Sequence, residues 1–334
     1  MSEGPPSRSS PPSWWPWPAA RPPPEAAPGQ DASSPAAQSE WPRTIEHALG
    51  STTIEKAPER IVSTSVVLTG SLLALEAPSV ASGASGVGSG DENSGTDKDG
   101  FFTHWGDIAR ERGVEVLYQN SELNLEAVAN AAPDLILIAP VGGDSTAEAY
   151  DELSKIAPTV AVDYNSNTWQ DVTTELGEIT GLETEAAALI DDYEATVADL
   201  ATKTKAPDEP VQSIVYSGGG EGSAIALPGG PHDGIFSALG FELAPLPDGI
   251  EADPKRKDFV FASDEQVLTG VTAKNLLLVS GTKADVEAMK KNPAYSHLNA
   301  VADGKVVPLG MASFKLDYYS AIQTATLLAE AYPA

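Results

Sequence analysis

The chain has 334 residues, 48 acidic against 20 basic side chains, and a formal net charge of -28 at neutral pH. This length allows two domains that each bury a core. The negative net charge argues against nucleic acid as a partner, because binding to phosphate groups depends on Lys and Arg. The sequence contains no Cys, which excludes disulfides, thiolate metal sites, a cysteine nucleophile and a lipid-bearing cysteine.

The first 40 residues differ in composition from the rest of the chain. They are rich in Pro, Ser and Ala, and their large apolar residues are the tryptophans within residues 14–17. This composition predicts a disordered tail over residues 1–40. Prolines interrupt every apolar run in the tail, so it shows no secretory signal. No later segment has the roughly 18 consecutive apolar residues that a membrane-spanning helix needs.

From residue 41 onward, apolar patterns predict alternating strands and helices. The first element is a hairpin in which Thr44–Ala48 and Thr52–Lys56 flank a turn at Leu49–Ser51. The stretch Gly83–Gly100 consists almost wholly of small and polar residues and predicts a surface loop that cannot order itself alone. The other elements predicted in this half are the strands Arg60–Ser63, Val80–Gly83, Leu135–Pro140 and Val160–Val162 and the helices Thr69–Leu75, Thr103–Arg112 and Leu123–Asn130.

Two helices follow each other without a strand between them in the middle of the chain. Thr168–Thr180 is predicted to be a helix that ends at Gly181, and Glu183–Lys203 is predicted to be a long one. Apolar residues recur with helical spacing from Leu189 to Leu200. At 1.5 Å per residue the second helix extends roughly 30 Å, which is sufficient to span two lobes.

The C-terminal half repeats the strand and helix alternation. The predicted strands are Ser213–Tyr216, Leu276–Val279 and Val306–Leu309, and the predicted helices are Gly234–Leu239, Glu265–Leu268, Thr282–Lys290 and Tyr318–Tyr332. This order predicts an α/β fold in which two Rossmann-like lobes are joined by a single long α-helix. The expected divisions are the tail at 1–40, an N-terminal lobe at 41–166, a linker with the long helix at 167–206, and a C-terminal lobe at 207–334.

One local pattern occurs once in each half of the chain. A helix-capping residue, Asn124 or Ser263, lies two places before a glutamate, Glu126 or Glu265, which puts the carboxylate in the first helical turn. First-turn acids stabilise helices by about 0.3–1 kcal/mol, and that role alone explains the pattern. The alternative is that the two glutamates dock, one per lobe, onto basic pockets of a two-fold membrane transporter.

Five segments together resemble the ferric-enterobactin-type substrate-binding proteins, a branch of the cluster III binding proteins of ABC importers. The segments are Pro58–Val66, Leu68–Ala74, Pro133–Ile138, Leu176–Gly181 and Leu316–Ala321. The first and third mainly indicate the fold of the wider family, whereas Leu-Thr-Gly-Ser and Leu-Asp-Tyr-Tyr-Ser point to the enterobactin-type branch.

The resemblance implies a binding protein and not an enzyme, without catalytic residues, cofactor or resident metal. The implied ligand is a ferric siderophore of the catecholate class, and the implied partner is an ABC transporter permease dimer with its ATPase, with no stable homo-oligomer. Members of this family are extracytoplasmic, so that location is expected here. The resemblance also favours the docking role of Glu126 and Glu265.

A ferric tris-catecholate is a large aromatic anion, so its site needs cations and flat or apolar surfaces. Arg256 leads the candidates, because it lies in the one three-residue basic run and aligns with a basic position of the family; Lys315 stands where the family carries an arginine. The full set of candidate ligand-binding residues is Lys98, Phe102, Trp105, Arg256, Lys257, Lys315 and Tyr318. Exposed lysines are more often simply solvated, and Phe102 and Trp105 fit a helix core equally well.

Other ligands and activities remain open at this point. Ala226 stands where the family has a tryptophan that stacks on the ligand. A mixed-ligand siderophore, haem or cobalamin is therefore an alternative ligand to enterobactin. A bare metal ion needs several converging ligands, and His104 and His232 supply only two; all four histidines are predicted to lie at the surface. The glycines of Gly218–Gly222 suggest a nucleotide-using enzyme, but the loop lacks the lysine and Ser/Thr of a phosphate loop.

Overall fold

The computed structural model describes residues 41–91, 93–218, 222–252 and 256–334. The predicted disordered tail, residues 1–40, lies outside the described residues, as does Lys255 of the basic run. Within these ranges, no helix combines the length and the apolar character needed to cross a membrane.

The N-terminal lobe begins with the predicted hairpin and continues as an α/β unit. Its strands are β1 (Arg43–His47), β2 (Gly50–Ile54), β3 (Ile61–Ser63), β4 (Ser79–Gly83), β5 (Glu115–Tyr118), β6 (Leu135–Ile138) and β7 (Thr159–Ala161). Its helices are α1 (Val66–Ala74), α2 (Gly106–Glu111), α3 (Leu125–Asn130), α4 (Tyr150–Leu153) and α5 (Trp169–Thr180).

The N-terminal sheet is parallel and five-stranded, in the order β5-β4-β3-β6-β7. The interior strand β6, between β3 and β7, is apolar and fully buried along its length, as expected for a strand covered by helices on both faces. Leu135 and Leu137 pack with α1 and α5, while Ile136 and Ile138 pack with α3 and α4 on the opposite face. The two-residue period of the strand therefore divides the core of this lobe into two layers.

The C-terminal lobe contains a second five-stranded sheet. Its strands are β8 (Gln212–Tyr216), β9 (Ser223–Ala226), β10 (Phe259–Ala262), β11 (Leu276–Val279) and β12 (Val306–Pro308). Its helices are α7 (Pro231–Ala238), α8 (Asp264–Gly270), α9 (Lys283–Lys291), α10 (Asn299–Ala302) and α11 (Tyr318–Ala331). The strand order is β10-β9-β8-β11-β12, in which β8, β11 and β12 are parallel and β9 and β10 are antiparallel.

A single long helix, α6 (Glu183–Thr202), links the lobes. It starts directly after α5, which ends at Gly181 in the left-handed conformation at φ 79° that glycine adopts without strain. Ala186 packs into the N-terminal core, whereas Tyr193 and Val197 pack into the C-terminal core. The predicted architecture of two lobes joined by one long helix is confirmed.

The corner between α5 and α6 supplies a stability prediction. A Cβ at Gly177 would lie 2.8 Å from Ala186 Cβ, closer than side chains tolerate. We expect Gly177→Ala to lower the free energy of unfolding by about 1–3 kcal/mol through overpacking, although alanine favours helices. Chemical denaturation midpoints test this prediction.

Gly234→Ala is the matched control, because Gly234 also lies within a helix and a Cβ there meets nothing within 4 Å. We expect this variant to gain up to about 1 kcal/mol from helix propensity. Equal midpoints for the two variants would show that the α5–α6 corner is not tightly packed.

Candidate functional site

Residues that follow β3, β7 and β12, which include Val67, Tyr164 and Phe314, line one cleft between the lobes. Ligand sites in open α/β sheets usually lie beyond the carboxyl ends of the strands. The cavity in this cleft is lined from the N-terminal lobe by Val67, Ser71, Tyr164, Asn165, Asn167 and Trp169, and from the C-terminal lobe by Pro231, His232, Asp258, Phe314, Lys315 and Leu316, among others. Its volume is about 40 Å³, which is room for a water molecule or two. Binding of any ligand with tens of atoms therefore requires side chains to move or the lobes to separate.

Lys315 lies at the boundary between the lobes. Its Nζ donates to Asn165 Oδ1 at 3.2 Å and lies 4.9 Å from the ring centre of Tyr164 and 5.2 Å from that of Phe314. Burial lowers the pKa of the Lys315 ammonium, and the carboxylates of Asp258 and Asp144 oppose the shift. The cation is thus held by an amide and two aromatic faces, an arrangement that an incoming anion can improve.

Arg256 lies near Lys315 and is paired with Asp258. Its Nε and Nη2 donate to the two Asp258 oxygens at 3.0 and 2.8 Å, and the guanidinium lies 4.9 Å from the ring centre of Phe261, which is 66% exposed. Burial acts to raise the pKa of Asp258, but hydrogen bonds from Arg256 and from the Phe259 N–H outweigh it and hold this pKa below its ordinary value. Asp258 therefore remains ionised and holds the Arg256 guanidinium beside the cavity that Asp258 lines.

A buried carboxylate supports the N-terminal wall of the cleft. Asp144 is 6% exposed and accepts hydrogen bonds from Ser65 Oγ at 2.5 Å and from the Tyr164 hydroxyl. Burial and the neighbouring Asp144 charge raise the pKa of Tyr164 above its ordinary value, so its hydroxyl stays a donor. This network fixes the Tyr164 ring against which Lys315 lies.

Sequence reasoning missed Asp144, Tyr164 and Asn165. The signal that was available is their position, because they follow β6 and β7 at the carboxyl edge of the N-terminal sheet.

The prediction that all histidines lie at the surface is wrong for two of them. His232 is 2% exposed, and the His104 side chain is 6% exposed beside Asp317. Nε2 of His232 lies 2.7 Å from the Ser313 carbonyl oxygen, which can only accept, so Nε2 carries the hydrogen. Burial lowers the pKa of His232 to about 4, which makes it neutral at pH 7. The described ranges contain no group of three or more His, Asp or Glu placed to hold a metal ion.

The remaining candidates contact other parts of the molecule. Lys98 is exposed and pairs with Asp99 at 2.6 Å, and Lys257 is exposed. Phe102 is half-buried, Trp105 is 1% exposed in an apolar cluster of the N-terminal lobe, and the Tyr318 hydroxyl donates to Asp192 on α6 at 2.7 Å. The cavity described above is lined by other residues, and Trp105 has the environment of a core residue.

Ala226 does not reach the cleft. It is fully buried in β9, and its ladder partner is Phe259 on β10. Phe259 stacks on Phe314 with ring centres 5.3 Å apart, and Phe314 lines the cavity. The aromatic surface at this wall is therefore supplied by Phe314, and the alanine at 226 does not remove it.

Both predicted docking glutamates lie on the surface. Glu126 is in the first turn of α3, where Asn124 Oδ1 accepts from Ala127 N at 3.0 Å, and Glu265 is in the first turn of α8. Both helices are capped as predicted, and docking to a transporter stays a prediction.

Comparisons with known proteins give a consistent result. Residues 69–311 match the family described as periplasmic binding protein. The chain is 42% identical over 287 residues to the ferric enterobactin-binding periplasmic protein FepB of Escherichia coli O6:H1, covering 85% of this chain and 89% of FepB. It is 30% identical over 228 residues to the probable siderophore-binding lipoprotein YfiY of Bacillus subtilis, covering 67% of this chain and 64% of YfiY.

Solved structures show the same likeness. Holo-ViuP superposes with a TM-score of 0.78 at 31% identity, covering 88% of this chain and 96% of ViuP. The periplasmic catecholate-siderophore binding protein VctP of Vibrio cholerae superposes with a TM-score of 0.58 at 20% identity, covering 87% of this chain and 98% of VctP, a likeness of fold alone.

The depressed pKa of His232 predicts a pH dependence of stability. The unfolded chain protonates this histidine near pH 6.5 and the folded chain near pH 4, so the unfolded state binds more protons between these values. The free energy of unfolding should therefore fall as the pH drops through this window, with His232 contributing up to about 1.4 kcal/mol per pH unit.

His232→Gln keeps a donor for Ser313 and should flatten this dependence, while His297→Gln, at an exposed position, should not. Denaturation series from pH 7 to 4 provide the measurement. If the free energy of unfolding changed with pH in the same way in wild type and His232→Gln, His232 would not be the cause of the pH dependence.

Proposed function

This chain belongs to the periplasmic binding protein family, and from that premise we propose that it is the substrate-binding component of an ABC importer, which binds a ferric catecholate siderophore and delivers it to the membrane permease. The observation that carries the proposal is a half-buried cation, Lys315, which lies against the rings of Tyr164 and Phe314 in the interlobe cavity with Arg256 nearby. The identity of 42% to a ferric enterobactin-binding protein supports the ligand class. The chelate is the cargo and leaves unchanged, so the protein needs neither a cofactor nor catalytic residues.

The cleft offers a catecholate complex two kinds of contact. Lys315 supplies positive charge inside the cavity and Arg256 supplies it beside the cavity, while the rings of Tyr164 and Phe314 supply surfaces on which catechol rings can stack. Lys315 is half-buried and, within the described part of the chain, has no carboxylate in ion-pair contact. Its charge is therefore available to a ligand without breaking a salt bridge.

Enterobactin is the first choice among catecholates. The buried position of Ala226 removes the main argument against it, because a side chain there packs in the core. A mixed-ligand siderophore, haem, cobalamin or a bare metal ion are the alternative outcomes of the binding experiment.

The proposed partner is a permease dimer with its ATPase, and the proposed location is extracytoplasmic. Glu126 and Glu265 are exposed, lie one in each lobe, and occupy matching positions at helix starts. Two acidic points on opposite lobes suit a two-fold transporter that carries a basic pocket on each subunit. A transporter that contacts both glutamates at once binds well only when the two lobes are at the matching distance from each other.

Ligand binding is tested by titrating ferric enterobactin while tryptophan emission is measured, since Trp169 lines the cavity. We expect a sub-micromolar dissociation constant. Lys315→Met should weaken binding by about 10- to 100-fold, because a hydrogen bond to a charged group contributes about 1.5–3 kcal/mol.

Lys274→Met, which removes an exposed lysine paired with Glu209, is the matched control and should bind as wild type does. Quenching by Zn²⁺ alone would favour the bare-metal alternative, and tighter binding of a mixed-ligand ferric siderophore would change the ligand class. Unchanged affinity in Lys315→Met would refute the proposed site.

Docking is tested by charge reversal. Glu126→Arg and Glu265→Arg should leave ligand affinity unchanged and lower permease-dependent uptake of radioactive iron by about tenfold, because a like charge would face each basic pocket. Glu330→Arg, at an exposed glutamate late in α11, is the control. Normal uptake by the double variant would rule out docking through these two residues.

A further inference from the structure

The backbone of Lys315 is tied to the start of α11. Asp317 caps this helix: its Oδ1 accepts from Ser320 N at 2.8 Å, and its own N–H donates to Ser320 Oγ at 2.8 Å. Ser320 Oγ in turn donates to the Lys315 carbonyl oxygen at 3.0 Å. The position of Asp317 therefore determines where Lys315 enters the cleft.

The same aspartate reaches across to the other lobe. Asp317 Oδ2 accepts from Nε2 of His104 at 3.1 Å, and the two side chains are 4% and 6% exposed. Gly70 on α1 makes room for this contact, because a Cβ there would lie 2.1 Å from Asp317 Oδ2 and 2.8 Å from Trp105 Nε1. A buried carboxylate oxygen needs a donor, and His104 supplies it.

His104 is itself held by the core of the N-terminal lobe. Its ring stacks on Phe102 at 5.7 Å between centres and meets Trp105 edge-on at 6.2 Å. Trp105 is fixed in turn, since it is 1% exposed and packs against Phe101. The N-terminal lobe therefore fixes the position of the His104 ring, whose Nε2 donates to Asp317.

Resting on the proposed function, we infer that His104 is a positioning residue for ligand binding: through Asp317 and Ser320 it sets the place of Lys315 in the cleft. His104 lies outside the lining of the cavity, and its effect passes through the cap of α11. Loss of its N–H leaves Asp317 Oδ2 buried without this donor, which loosens the cap and the segment that carries Lys315. Affinity for the chelate falls as a result.

The test is a double-mutant cycle on ferric enterobactin binding. His104→Leu should weaken binding about 5- to 10-fold in the wild-type background and less than about twofold in Lys315→Met, because coupled residues are not additive. His104→Gln retains an N–H donor and should bind within about threefold of wild type. His297→Leu, at an exposed histidine, should change nothing.

Thermal unfolding of each variant identifies losses caused by misfolding. Equal losses of affinity from His104→Leu in both backgrounds would overturn the inference, and so would a His104→Gln protein that folds but binds as poorly as His104→Leu.

A second measurement requires no ligand. In protein labelled with ¹³C-lysine, the Cε resonance of Lys315, assigned by its loss in Lys315→Met, reports the pKa that burial now lowers. His104→Leu should move this pKa toward the ordinary lysine value, and His104→Gln should not. An unchanged pKa in His104→Leu would overturn the inference even if wild type failed to bind ferric enterobactin, a failure that would count against the proposed function alone.

Discussion

One helix contributes side chains to the cores of both lobes, and the geometry of the cleft depends on this constraint. Ala186 of α6 belongs to the N-terminal core, and Tyr193 and Val197 of the same helix belong to the C-terminal core. Residues that follow strands of both sheets thereby line one cavity. A continuous helix of 20 residues resists bending more than extended linkers do, so relative motion of the lobes should be small.

The net charge of the molecule does not determine which charges an anion meets in the cleft, because screening limits the range of each surface charge. A net charge of -28 is distributed over the whole chain, but at physiological salt a surface charge is felt only within about 8 Å. Lys315 lies in the cavity, where burial weakens that screening, and Arg256 lies beside it, more exposed. The nearest acids are engaged elsewhere: Asp258 pairs with Arg256, and Asp144 accepts from Ser65 and Tyr164. A strongly acidic protein can therefore keep one half-buried cation, Lys315, without a carboxylate in ion-pair contact within the described part of the chain.

The sequence predicted the elements whose patterns are local. The hairpin, the strand at Leu135, the cap of α5 at Thr168 and its end at Gly181 all lie within a residue or two of their predicted bounds. By contrast β9 and β10 were missed, because they are short and largely buried, so neither shows a two-residue alternation, and their pairing joins segments more than thirty residues apart.

The site was predictable only in part, for the same reason. Arg256 and Lys315 could be selected by residue type and family position. Asp144 and Tyr164 carry a signal in their positions after predicted strands, but the sequence does not show their contacts with Ser65 and Lys315, because these partners lie far away in the chain. His104 could not be selected, since its partner Asp317 lies in the other lobe.

The antiparallel strand β10 is an edge strand of the C-terminal sheet. A second molecule can pair a strand with such an edge and begin aggregation, and the exposed ring of Phe261 on β10 adds an apolar contact. The guanidinium of Arg256 lies over that ring and adds a charge to the edge strand. Charged residues at edge strands protect sheets from such association. Arg256 thus places a charge beside the exposed ring at the position where such association would begin.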